Sequence, residues 1–411
     1  MMWVLLYGCG GDVINHGNGG PRPGDTDAGD TDGGDTDTGE DTALPEVTAA
    51  ELVARVRADG AQAMSDLAGE VGWPAATVDG LLVVRRGGGT WQVAGDFDGW
   101  AGQDMSCGDG LCWALIGATE GGYKFTDGSA WEADAWSRRY RYDEFGELSL
   151  VASADAHLER HFAVGDDTME ARNVRVLVPA GEATHVLYAQ DGQNLFDPEA
   201  MWGGWRLQDT APDGVMIVGI DNTVARMEEY THVADTLDGV AYGGQGDAYV
   251  DFVQDTVRPL VATTYGEPAV VGVMGSSLGG LISFHAALRH PGEYRFAASL
   301  SGTMGWGSIE QHNPTMIERY AAAGHGTTAL YLDSGGSYTD CADADGDGVH
   351  DDDLGSSDNY CENAQLRDVL AAGGYTYDVD LWHWWEAGAA HNEAAWADRV
   401  SRPLSIFVAL H

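Results

Sequence analysis

Basic residues are scarce in this chain. Only 21 Lys and Arg stand against 65 Asp and Glu, a formal charge of −44 over 411 residues. A nucleic-acid partner is excluded on that ground, because no basic stripe exists to neutralise phosphates. The excess of carboxylate instead favours solubility and cation binding. Long apolar runs are also lacking, and none approaches the ~20 residues that a transmembrane helix requires. Cysteine is sparse and odd in number, five in all. Two short-range pairs, Cys107 with Cys112 and Cys341 with Cys361, leave Cys9 over. Such pairing predicts disulfides and an oxidising compartment. What is plentiful is apolar and aromatic content: 44% hydrophobic residues with 14 Trp and 16 Tyr supports a sizeable core. The length predicts two or three domains.

Residues 1–43 form no domain. From Gly24-Asp25-Thr26-Asp27 to Glu40-Asp41-Thr42 almost nothing is apolar, so a disordered, self-repelling tether is expected. Ahead of it, Trp3-Val4-Leu5-Leu6-Tyr7-Gly8-Cys9 resembles a bacterial lipobox, with Cys9 the lipidated residue. The run is short and no Lys or Arg precedes it, a departure from that pattern. The resemblance implies an extracytoplasmic protein, lipid-anchored to the envelope or secreted, that meets a membrane only through Cys9. Residues 44–78 read as a helical lead-in, with Thr48 as N-cap before Glu51 and Pro74 as its end.

Residues 79–152 alternate instead. Leu81–Val84, Thr90–Trp100, Trp113–Leu115 and Gly122–Phe125 are short strands punctuated by Gly and Asp, which predicts an antiparallel β-sandwich. The Gly95–Trp100 turn and the Tyr123-Lys124-Phe125 strand resemble an early-set, Ig-like, glycogen-binding-like module. That resemblance makes Trp91, Trp100 and Trp131 candidates for stacking on a sugar ring, against the plainer role of core residues.

Residues 153–411 alternate strand and helix, which predicts an α/β domain with a doubly wound, mostly parallel sheet. Strands are expected near 174–178, 185–188, 215–220, 269–274, 296–300, 329–332 and 377–385. The fourth of these runs into Gly275-Ser276-Ser277-Leu278-Gly279, and a helical pattern follows to His290. A chain with 58 glycines gives the bare G-x-S-x-G pattern by chance ~0.4 times. Its position between a strand and a helix is what marks Ser277 as the nucleophile of an α/β-hydrolase elbow. A hydroxyl attacks only when a base takes its proton, and in this fold the acid and then the histidine follow the serine. His391 lies in Gly388-Ala389-Ala390-His391-Asn392-Glu393, a small-residue loop after the last strand, and is the candidate base. His383 reads as a packed strand residue, and His285 and His290 belong to the elbow helix.

Four blocks then carry a specific resemblance. Asp191-Gly192-Gln193-Asn194-Leu195-Phe196-Asp197, Val218–Asn222 with Arg226 and Glu229-Tyr230, the elbow, and His391–Arg399 occur in the order of the esterase D-like, enterochelin esterase-related family. The resemblance implies an oxyanion hole made by the N–H of Gly192 or Gln193 and that of Leu278. It also implies a triad acid soon after the strand ending Asp333-Ser334-Gly335. The usual offset falls on Tyr338, so an extended loop is expected. Asp340 is the first candidate, Asp333 the alternative and Asp358 a distant third. Shortly afterwards Asp343, Asp345 and Asp347, with Gly348, Val349 and Asp351, follow the front of an EF-hand-type calcium loop. Position 12 is Leu354 rather than Glu, so the loop is nearer the Asp-rich loops of thrombospondin-type repeats. The Cys341–Cys361 pair brackets it and is worth ~3 kcal/mol of chain entropy.

The expectation is a serine carboxylic-ester hydrolase with no cofactor for catalysis and a structural calcium. Its substrate would be a small-molecule or carbohydrate ester, such as a feruloyl or acetyl sugar ester, or a siderophore-type lactone. The rival readings are an acyltransferase of the same fold and a catalytically inactive, calcium-stabilised glycan-binding surface protein.

Overall fold

The computed structural model describes residues 47–70, 72–266, 268–337, 341–352 and 357–411. Cys9, the tether and Asp340 lie outside the described residues. The described chain divides into two compact units.

The first unit runs to Arg138 and includes residues 149–151. It opens with helices Ala49–Asp59 and Ala61–Glu70, separated at Gly60, whose φ of 61° suits glycine. Thr48 and Glu51 make the expected capping box. The helices are no separate lead-in. The Ala49 N–H donates to Asp79, and Ala75–Thr77 pairs antiparallel with Gly80–Arg86. Gly80–Arg86 in turn pairs with Leu111–Ile116, and that strand with Ser106–Gly108. In a second sheet Gly122–Thr126 pairs with Gln92–Gly95. Side chains of both sheets, among them Val83, Val93, Ala114, Tyr123 and Phe125, share one core. A Cys107–Cys112 disulfide closes one hairpin. Of the three tryptophans singled out, Trp91 is buried under the Arg85 guanidinium. Trp100 and Trp131 are exposed, with ring centroids 5.9 Å apart.

The second unit comprises residues 139–148 and 152–411, so the Arg139–Asp143 strand belongs to it rather than to the first unit. The reason is pairing: Arg139–Asp143 runs antiparallel to His157–Val164, and Arg160 stacks on Tyr140. Eight further strands are named here in chain order: β1 His157–Val164, β2 Arg172–Val178, β3 His185–Gln190, β4 Val215–Ile220, β5 Val270–Ser276, β6 Phe296–Leu300, β7 Ala329–Gly336 and β8 Leu381–Trp385. Their pairing gives the order β1-β2-β4-β3-β5-β6-β7-β8, antiparallel across β2 and parallel from β4 onward. Side chains alternate between faces, as the strand period requires. Val186 and Tyr188 enter one apolar cluster, and Leu187 and Ala189 the other. Helices cover both faces, which explains why the central strands are apolar throughout. Among them α1 is Leu278–Arg289, α2 Tyr360–Gly373 and α3 Glu393–Arg399.

Candidate active site

Ser277 stands at the β5–α1 junction with φ 55° and ψ −124°, and is buried. Glycine is required around it. A Cβ on Gly275 would lie 2.5 Å from the Gly279 backbone, and one on Gly279 would lie 3.0 Å from Gln190. Backbone bonds fix the bend. The Ser277 N–H donates to Leu300 O (2.9 Å), and the Ser277 carbonyl accepts from Gly280 (3.0 Å) and Thr303 (3.3 Å). Leu278 opens α1, so its N–H has no acceptor within the helix.

The segment after β3 packs against this bend. Asp191 adopts a left-handed conformation, φ 59°, and Gly192–Asn194 makes a single 3₁₀ turn. Gly192 and Gln193 open that turn, leaving their N–H groups outside its internal bonding. Asp191 is held by a two-pronged Arg226 contact, 2.8 Å on each prong, and by Asn222 Nδ2 at 2.6 Å. The Gln193 side chain accepts from the Asn222 N–H (3.1 Å), while its buried Nε2 has no protein partner.

His391 Nδ1 is hydrogen-bonded to Asp358 Oδ1. Asp358 Oδ2 accepts from Ser301 Oγ (2.6 Å), the Gly335 N–H (2.5 Å) and Arg399 Nη2 (3.3 Å). Burial works to raise the Asp358 pKa, but the bonds from His391 and Ser301 and the Arg399 charge outweigh it and hold the carboxyl below its ordinary value. Ser301 follows Leu300, the acceptor for Ser277. The serine bend and the histidine–aspartate pair are therefore anchored to adjacent residues at the end of β6.

Of the three candidate acids it is Asp358, the distant third from the sequence, that meets His391. Asp340 lies outside the described residues. Asp333 is fully buried on β7 and faces Arg399 Nε (3.0 Å) and Tyr331 OH (2.9 Å), not His391. The sequence gives no offset rule for Asp358, because an acidic insertion separates it from β7; only its pairing with Gly335 returns it to the sheet edge. His383 is largely buried and its pKa falls to about 4 through desolvation, while His285 is paired with Asp247.

In the insertion, Asp343, Asp345 and Asp347 bring carboxylate oxygens within 4.8 Å of one another. Asp351 Oδ2 accepts from the Ala344 N–H (2.7 Å) and closes the loop instead of joining the three. Val349 contributes its side chain to the apolar core. The Cys341–Cys361 disulfide ties the loop to α2.

The family model described as Putative esterase matches residues 167–404, more than half of the chain. The chain belongs to that family. A Bacillus subtilis protein, the uncharacterized YbbA, is 31% identical over 123 residues, 28% of this chain and 49% of the relative. The siderophore triacetylfusarinine C esterase of Aspergillus fumigatus is 28% identical over 135 residues, 30% of this chain and 46% of the relative. The chain thus spans about half the length of the curated relatives it matches. Among solved structures, an IroE-like serine hydrolase from Shewanella oneidensis shares 18% identity and a TM-score of 0.47, covering 62% of this chain and 80% of that one.

Proposed function

We propose that the protein is a serine carboxylic-ester hydrolase acting through Ser277, His391 and Asp358. The observation that carries this reading is the His391–Asp358 hydrogen bond, anchored through Ser301 beside the strained serine bend. In the proposed reaction His391 Nε2 takes the Ser277 proton as Oγ attacks the ester carbonyl. The oxyanion is received by the N–H groups of Leu278 and of Gly192 or Gln193. His391 then protonates the departing alcohol, and water, deprotonated by the same imidazole, clears the acyl-enzyme. Asp358 keeps the imidazole in the tautomer that presents Nε2 as the base.

The substrate class is a small aryl, feruloyl or acetyl ester, or a siderophore-type lactone. Family membership and the siderophore esterase relative support it. Calcium in the Asp343, Asp345 and Asp347 cluster is part of the same proposal, as a structural ion bound by hard oxygen donors. Two disulfides support an extracytoplasmic setting. The test is hydrolysis of p-nitrophenyl acetate and methyl ferulate by wild type and Ser277→Ala. Loss of at least about 10³-fold in kcat is expected; equal rates would refute the assignment.

A further inference from the structure

We infer that Arg399 is a positioning residue for the proposed site: its guanidinium, locked between Asp333 and Asp358, fixes the charge and orientation of the carboxylate that holds His391. The inference rests on the Ser277, His391 and Asp358 reading. Its basis is a buried polar network that converges on Asp358 Oδ2 through Ser301 and Arg399. Arg399 is 2% exposed, although a guanidinium is ordinarily found in water. Nε donates to Asp333 Oδ1 (3.0 Å), Nη2 to Ser301 Oγ (2.6 Å) and to Asp358 Oδ2 (3.3 Å), and Nη1 to the Ala395 carbonyl (3.1 Å). Ser301 Oγ donates its own hydrogen bond to Asp358 Oδ2 and also accepts from Trp396 Nε1 (3.0 Å). The Trp396 ring stands edge-on to His391, centroids 5.0 Å apart. Residues 391–399 therefore supply the imidazole, the wall beside it and the cation behind its partner.

Two buried carboxylates share this single cation. Burial pushes Asp333 up to about 6, against the opposing pull of Arg399 and Tyr331. Asp358 is lowered chiefly by His391 and Ser301, with the Arg399 charge adding to them, and stays ionised, as an orienting acid must. A helix-anchoring salt bridge would need only one carboxylate. The second, plus the shared hydroxyl, makes the arrangement directional: Asp358 is left with Oδ1 alone for the histidine.

The charge has a measurable signature. A cation beside the histidine–aspartate pair opposes the extra proton the pair carries at low pH, so removing it lets the pair keep that proton to higher pH. Among the described residues, the other charged groups facing His391 are Glu393 on α3, with Asp191 and Arg226 beyond it, and these stay unchanged across the variants. The experiment measures kcat, KM and the acid limb of kcat/KM on p-nitrophenyl acetate for wild type, Arg399→Met, Arg399→Lys and Asp333→Asn, with melting curves for each. Arg399→Met is expected to lose about 10²-fold in kcat with KM within about threefold. Its acid limb should move up by about one pH unit. Arg399→Lys should restore the limb while recovering only part of kcat, because an ammonium cannot serve both carboxylates in the same fork. Asp333→Asn frees the cation for Asp358 and should move the limb down. A lowered kcat in Arg399→Met with an unmoved limb would overturn the inference and leave a structural salt bridge. Should Arg399→Met fail to fold, an unmoved limb in Asp333→Asn overturns it equally. Ser277→Ala separates the two claims, since retained activity there sinks the hydrolase reading, whereas an inactive Ser277→Ala with unmoved limbs sinks only this one.

Discussion

Ser277 holds a backbone conformation that costs a residue with a side chain on the order of 1–3 kcal/mol. It persists because Leu300, Gly280 and Thr303 all bond its peptide groups. The motif around it was legible because the elbow is a local device, a strand, a strained turn and a helix written in consecutive residues. His391 was legible from its loop, rich in small residues and set after the last strand. Asp358 was not, since the choice among carboxylates depends on which one a folded loop carries to Nδ1. Replacing Asp358 by Asn should leave the site's shape intact yet cost about 10³–10⁴-fold in kcat, with little change in KM, because the imidazole loses its tautomeric guide. Steady-state kinetics on p-nitrophenyl acetate measure this. A loss confined to KM would mean that Asp358 acts on substrate binding instead.

At the scale of elements, parallel β5 to β8 place their C-terminal ends side by side, and that edge collects Ser277, Ser301, Asp358 and His391. The strands themselves were readable from β-branched runs, while several ends were not: β7 continues to Gly336, four residues past its expected stop at 332. The extension follows from Ser357-Asp358 pairing onto Gly336 and Gly335, a contact between segments far apart in sequence. The same return path joins the acidic loop to the site. The Cys361 N–H donates to Asp352 Oδ1 (2.9 Å), and α2 begins two residues after Asp358. An ion held by Asp343, Asp345 and Asp347 would steady the segment that delivers the acid. Millimolar calcium is therefore expected to raise the melting temperature by about 5 °C, with EDTA reversing it and Asp345→Asn blunting the response. A melting curve indifferent to both calcium and EDTA would remove the ion from the account.

For the molecule as a whole, the formal charge of −44 bears on association kinetics as well as on solubility. Guanidiniums of the second unit are already engaged: Arg160 with Glu147, Arg172 with Glu229, Arg226 with Asp191, and Arg399 with Asp333 and Asp358. With carboxylate in such excess, an approaching ester is expected to meet a negative field. Raising ionic strength from about 0.01 to 0.5 M should increase kcat/KM several-fold for a carboxylate-bearing ester and lower it for a quaternary-ammonium ester. Equal salt responses for the two would show that the local field at the site is neutral. The chain's alternation of apolar strands and helices, its elbow and its late histidine were fixed by neighbours along the sequence, where steric and periodic rules act over a few residues. The carboxylate behind the histidine, and the arginine shared with Asp333, were settled only by folding. Desolvation and charge pairing depend on distance in space, and Asp333, Asp358 and Arg399 become neighbours only when the sheet edge, the acidic insertion and the last helices come together.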